Sequence, residues 1–111
     1  LSQEALAYET LTSLQGSVLP QMVGFFAGDG WMILVTEDCG RSLTDSSLVS
    51  LSLQQREMLW RHVCSIHASG VAHHDLGPRN LVVSSSGDVR IIDFAYSELG
   101  HQCVEATCEE L

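Results

Sequence analysis

One hundred and eleven residues with 45% apolar and 17% charged content suffice for one compact domain, of which folding hides only about two-thirds of the unfolded surface. This composition excludes disorder, and no unbroken apolar run approaches the roughly 20 residues that a membrane-spanning helix needs. The formal charge is −9, from 5 basic and 14 acidic residues, and the basic ones are Arg41, Arg56, Arg61, Arg79 and Arg90, without a single lysine. Positive charge this sparse and scattered makes no footprint for a phosphate backbone, so no nucleic acid and no membrane are expected as partners.

The cysteines are Cys39, Cys64, Cys103 and Cys108, too few and too unevenly placed for a disulfide-stapled miniprotein. Reduced thiols and an intracellular, cytoplasmic location are the expectation. The chain opens on Leu1 rather than methionine and carries no charged-then-apolar leader, which reads as a fragment or a processed product.

In chain order, Leu1, Ala5, Tyr8, Leu11 and Leu14 recur at spacings of three and four over residues 1–14. That period predicts an amphipathic helix with Glu4 on its apolar side. Apolar runs 22–27 and 31–36 flank Gly28-Asp29-Gly30, the pattern of two short strands around a glycine-bearing turn. Residues 37–50 are mixed and polar, with a short helix expected near 43–49. Ser52 followed by Gln55 fits a capping box, and Gly70 supplies the stop, so the longest helix is expected between them, burying Leu59, Val63 and Ile66. Runs 81–83 and 89–92 predict a second hairpin, and the tail from Tyr96 has no readable period. Helix, hairpin, helices, polar loop, hairpin and tail make an α+β arrangement.

The chemistry concentrates in His73-His74-Asp75-Leu76-Gly77-Pro78-Arg79-Asn80, between the long helix and a strand. Asp93 ends the following hairpin, ahead of Phe94 and Ala95. Two strands this short return Asp93 close to Asn80, bringing two carboxylates and an amide oxygen toward one site.

With Asp75-Leu76, Asn80 and Asp93-Phe94-Ala95 in register, the sequence resembles the eukaryotic protein kinase superfamily, whose catalytic loop reads H-R-D-L-x-x-x-N and whose metal-binding motif reads D-F-G. The resemblance implies a partial protein kinase-like fold, with an N-lobe remnant in residues 1–38 and the start of the C-lobe in residues 39–111. It implies transfer of the γ-phosphoryl group of ATP, with Mg2+ as cofactor, to a hydroxyl-bearing protein or small molecule. Asp75 would orient the hydroxyl and accept its proton, and Asn80 and Asp93 would hold the metal. Glu4 matches the helix glutamate that pairs with an ATP-contacting lysine, with Glu9 as its rival. Thr36 would be the gatekeeper, and the Glu37 carbonyl and Cys39 amide would meet the adenine edge. His73 would join Tyr8, Phe25 and Phe94 in an internal stack.

The departures from the family pattern matter as well. His74 stands where many kinases keep an arginine, Gly77 replaces a lysine typical of Ser/Thr kinases, and Ala95 replaces the motif glycine. No glycine-rich loop or lysine strand is present, so phosphoryl transfer by the isolated chain is not expected. Three other functions compete: a pseudokinase scaffold, a small-molecule kinase of the aminoglycoside or choline type, and a metal-dependent phosphoesterase built on His73, His74 and Asp75.

Elsewhere, His62 and His67 read as surface or core-edge residues, and Cys64 as a buried small hydrophobe. His101, Cys103 and Cys108 are zinc-type ligands, but three ligands leave a structural site incomplete and the spacing is not that of a knuckle. Glu105, Glu109 and Glu110 read as a solvated polar tail.

Overall fold

The computed structural model describes residues 2–104, 108 and 110. Helix α1 (Gln3–Thr10) is capped by the Ser2 hydroxyl, which accepts from Ala5 N–H at 3.1 Å. It stops at Thr10, earlier than the apolar period suggests, and a 3-10 turn over Thr12–Leu14 follows. Gln15 consolidates this bend by donating from Nε2 to Tyr8 C=O at 2.8 Å and accepting Met22 N–H at 2.9 Å.

Strands β1 (Met22–Gly28) and β2 (Trp31–Thr36) form an isolated antiparallel pair. Asp29 and Gly30 make the turn, with Gly30 at φ +75°, a conformation for which glycine pays no steric penalty. Strand β3 (Arg41–Ser42) follows, then α2 (Asp45–Val49) and α3 (Leu53–Ala68), each opened by a reciprocal capping box, Thr44 with Ser47 and Ser52 with Gln55. Strand β4 (Val71–Ala72) leads into the polar loop, and β5 (Leu81–Val83) and β6 (Val89–Ile91) make the second hairpin.

Strands β3, β5 and β6 form a three-stranded antiparallel sheet in that order. Gly40 makes the first pairing possible, because a Cβ there would lie 2.1 Å from the Val83 carbonyl oxygen. The tail, unreadable by period, contributes β7 (Glu98–Leu99), which pairs antiparallel with β4. Two-residue strands fall below any periodic signal, so backbone pairing alone reveals them. The fold is mixed α and β, compatible with a partial kinase-like arrangement. Among the described residues no helix is long and apolar enough to cross a membrane.

One core joins both ends of the chain. Tyr8 and Leu11 from α1, Val18 and Leu19 after it, Val63 and Ile66 from α3, and Ile91 and Phe94 from the second hairpin bury together. Leu59 packs against this cluster half-buried. Cys64 is also half-buried, whereas His67, read from sequence as core-edge, is almost fully buried. His62 leans inward too, its Nε2–H donating to Val89 C=O at 2.9 Å. Leu1, Glu105 and Glu109 lie outside the described residues, whereas Glu110 does not behave as a solvated tail.

Candidate functional site

The polar loop is organised from below by His73, which is 1% exposed. Its Nδ1 accepts from Asp75 N–H at 3.0 Å and its Nε2–H donates to Ile92 C=O at 2.8 Å. These bonds fix the neutral Nε2–H tautomer. They also couple the loop that carries Asp75 to the residue immediately before Asp93. The Phe94 ring stands edge-on to His73 at 4.8 Å between centroids and to Tyr8 at 5.7 Å. Three of the four expected stack members therefore meet, while Phe25 makes none of the described ring contacts. Both His73 ring nitrogens are thus engaged within the fold.

Asp75 and Asn80 touch directly. Asn80 Nδ2 donates to the Asp75 backbone carbonyl at 2.8 Å and to Asp75 Oδ2 at 3.1 Å. The amide N–H2 group is thus committed, and the carbonyl oxygen is what Asn80 can offer a cation. Arg79 Nη2 lies 3.1 Å from each Asp75 carboxylate oxygen. The Arg79 hydrogen bond is the chief reason that the Asp75 carboxyl is held below the usual carboxylate range. Asp75 is accordingly anionic at neutral pH, the state a proton acceptor needs.

Asp93 stands on the next turn of backbone. Ile92 N–H donates to Asn80 C=O at 2.9 Å, carrying Asp93 past the loop, and Asp93 Oδ1 accepts from Ala95 N–H at 3.3 Å. His74 and Asp93, at φ 67° and 61°, are the described non-glycine residues with positive φ. Backbone held in this sparsely populated region clusters at functional sites, and here both cases flank the same loop pair.

Asp93 opens onto a cleft of about 540 Å3 lined also by Glu4, Thr36, Glu37, Asp38 and Cys39. Glu4 Oε2 accepts from Phe94 N–H at 2.8 Å, tying α1 to the turn after Asp93. Glu37 exchanges bonds with Gln21, its N–H donating to Gln21 C=O at 3.0 Å and its Oε1 accepting Gln21 N–H at 2.8 Å. The Cys39 thiol is buried against the Glu37 carbonyl at 4.0 Å, and burial first of all pushes its pKa up. Burial likewise raises the Tyr8 phenol far above its ordinary value, with Glu4, Cys39 and Asp93 adding to the effect. That electrostatic signature marks a cleft rich in negative charge. Its hard oxygen donors suit a cation such as magnesium; of the expected ligands Asp93 lines it, whereas Asn80 and Asp75 are not among its lining residues.

The region sequence reasoning missed is the far side of the loop. Glu110 accepts from His73 N–H at 2.9 Å and from His74 N–H, and its Oε1 lies 2.7 Å from His67 Nε2. Burial alone would raise the Glu110 carboxyl, but these donors outweigh it and hold the group below its usual range. His74 Nε2–H donates in turn to Glu98 Oε1 at 2.7 Å. No local pattern announces bonds between residues more than twenty positions apart.

Three comparisons bear on this geometry. The chain is 33% identical over 86 residues, 74% of its length, to cyclin-dependent kinase 20 of Danio rerio. It is 30% identical over 87 residues, 75% of its length, to the protein of that name from Pongo abelii. The chain is protein kinase-like. A third kinase, serine/threonine-protein kinase cek1 of Schizosaccharomyces pombe, is 28% identical over 83 residues, 68% of this chain. The kinase-like chain spans 24% of the length of each of the first two and 6% of the third. No protein-family model matches it.

Proposed function

We propose that this kinase-like chain carries the catalytic-loop portion of an ATP phosphotransferase acting on a hydroxyl acceptor, with residues 1–38 belonging to the N-lobe and 39–111 opening the C-lobe. The observation that carries the reading is the His73 bridge. One imidazole holds the Asp75 loop with one nitrogen and the Ile92–Asp93 turn with the other, so proton acceptor and metal ligand share one rigid support.

Asp75 orients the acceptor hydroxyl and takes its proton as the oxygen bonds to the γ-phosphorus and the bond from that phosphorus to ADP breaks. Arg79 keeps Asp75 ionised, and the acceptor displaces one of its two contacts. Asn80 and Asp93 would hold magnesium, which when bound neutralises charge on the phosphate oxygens. The Glu37 carbonyl and the Cys39 amide would receive the adenine edge, with Thr36 beside them. Glu4 positions the Asp93-Phe94 turn.

A second reading, a pseudokinase scaffold, draws on the Glu4 carboxylate, which already serves Phe94 N–H. Magnesium-ATP binding to the full chain, followed with a fluorescent nucleotide, separates the two. Asp93→Asn is expected to weaken metal-dependent binding at least tenfold and Asp75→Asn to leave it within about twofold, because one residue meets the ion and the other the acceptor. Equal losses in both variants contradict these roles, and no binding in any form favours the scaffold. Transfer of radiolabelled phosphate by the chain alone is expected not to exceed the Asp75→Asn blank.

A further inference from the structure

The tail residues that lacked a fourth ligand in sequence find one in space. Helix α3 ends where Gly70, at φ +83°, turns the chain back, and Gly70 C=O accepts from His101 N–H at 2.8 Å. This contact sets the segment that begins at His101 against the last turn of α3, which carries His67. His67 Nδ1 lies 3.3 Å from Cys103 Sγ and 3.4 Å from Cys108 Sγ, and His101 Nε2 lies 3.7 Å from Cys108 Sγ. All four ligand atoms fall within 4.8 Å of one another. We propose that His67, His101, Cys103 and Cys108 form a structural zinc site that fastens the tail to α3 and to the catalytic loop, independently of whether the cleft transfers phosphate.

The spacing fits the ion. Zinc bonds of about 2.0–2.1 Å to nitrogen and 2.3 Å to sulfur make nitrogen-to-sulfur edges of a tetrahedron roughly 3.5 Å long. The nitrogen-to-sulfur distances of 3.3, 3.4 and 3.7 Å bracket that length. Thiol–imidazole hydrogen bonding alone accounts for less. His67 Nε2–H is committed to Glu110, so Nδ1 has one lone pair for two sulfurs that both lie within 3.4 Å of it. A cation shared by all four atoms accounts for the convergence without over-committing that lone pair.

The outer groups agree. Each histidine presents one ring nitrogen to the cluster and turns the other to a carboxylate, His67 to Glu110 at 2.7 Å and His101 Nδ1 to Glu98 at 3.6 Å. Carboxylates behind ligating histidines fix the ring orientation and raise its basicity. Two thiolates and two imidazoles are a soft, closed donor set, which selects zinc over magnesium or calcium and leaves no open position for catalysis. Binding releases the thiol protons and leaves two thiolates that balance the charge of the ion. Through Glu110 the site also reaches His73 and His74 N–H, so the metal braces the loop that carries Asp75.

The test uses the full chain, purified reduced, stripped of metal and titrated with Co2+. One equivalent is expected to bind with thiolate-to-cobalt charge transfer in the near ultraviolet and intense tetrahedral d–d bands, and one equivalent of Zn2+ to displace it. Cys103→Ser, Cys108→Ser and His67→Ala should each weaken binding more than about 100-fold, and Glu98→Gln about 10-fold, in keeping with outer-shell effects. Cys64→Ser should bind as the parent does, which controls for the remaining thiols. Octahedral cobalt without thiolate charge transfer overturns the site, as does a spectrum retained when Cys103 and Cys108 are both replaced. A Cys103–Cys108 disulfide that survives reductant and leaves no thiol to titrate overturns it too. The wild-type spectrum decides the matter even where a ligand variant fails to fold.

Discussion

In the β1–β2 hairpin, Val23, Phe26, Trp31, Met32 and Ile33 are each half or more exposed, whereas in the body beneath it Leu11, Val71, Ile91 and Phe94 are fully buried. Both regions follow the rules that write strands into sequence, but only the body has layers on both sides of its apolar residues. The hairpin is a pair of strands with nothing paired on either outer edge among the described residues, and a two-stranded ribbon cannot cover its own faces. Only its root meets the core, through Met22 and Leu34. The body, by contrast, is fastened by polar bonds that each serve two elements: His73 from loop to turn, Glu4 from α1 to Phe94, and Arg90 from β6 to Gly16 C=O at 2.7 Å. Apolar sequence makes an element, and a second layer makes it stable.

Four variants break or sharpen that contrast. The largest effect is expected for Phe94→Ala, which removes a ring from contact with both Tyr8 and His73 and should cost about 3–5 kcal/mol in urea unfolding. A loss below about 1 kcal/mol would show that the stack is not the centre of the body. His73→Phe keeps the ring volume but strands Asp75 N–H and Ile92 C=O, each at about 1–3 kcal/mol. It should also raise amide exchange at Asp75. An unchanged exchange rate would mean that the loop holds itself without the bridge.

A smaller effect is tied to pH. Burial chiefly lowers the His62 pKa, while its bond to Val89 C=O opposes. A group whose folded pKa is depressed contributes stability above its unfolded pKa near 6.5 and loses it as pH falls through the folded value. Between pH 7 and 5 the melting temperature should therefore fall more in the parent than in His62→Gln, and parallel curves would refute this. The smallest effect on stability belongs to the hairpin. Phe26→Ser with Ile33→Ser, paired across β1 and β2, should move unfolding by no more than about 0.5 kcal/mol per site while reducing light scattering on concentration. A larger loss would place a packed layer over that face.

Local grammar was enough for the elements that announce themselves. Ser52 and Gln55 marked the start of α3, Gly70 its end, Asp29-Gly30 the first turn, and Asp75, Asn80 and Asp93 the candidate site. What escaped is what no short window contains. Strand β7 is two residues long and exists only because β4 accepts it. His67 looked like an isolated helical histidine because its proposed co-ligands begin more than thirty positions later, and Glu110 looked like tail charge because its partners lie across the fold. In the candidate site, sequence could propose which side chains meet but not that Arg79 already sits on Asp75, or that Glu4 serves the Phe94 amide.

The Glu4 bond also bears on the order in which the chain folds. It joins residues 90 positions apart, and Gln3 Nε2 reaches Ser97 C=O at 2.9 Å across 94 positions. Helix α1 has its docking surface on segments that emerge from the ribosome some 90 residues after it. Eight residues are too few for a helix to persist alone in water, so until Phe94 and Ser97 are synthesised α1 samples coil with Tyr8 and Leu11 uncovered. Contacts this distant in sequence slow folding, because closing the loop costs entropy before the contact repays it. Maturation of the cleft therefore waits on synthesis of the Asp93-Phe94 turn, which Glu4 can reach only once that turn exists.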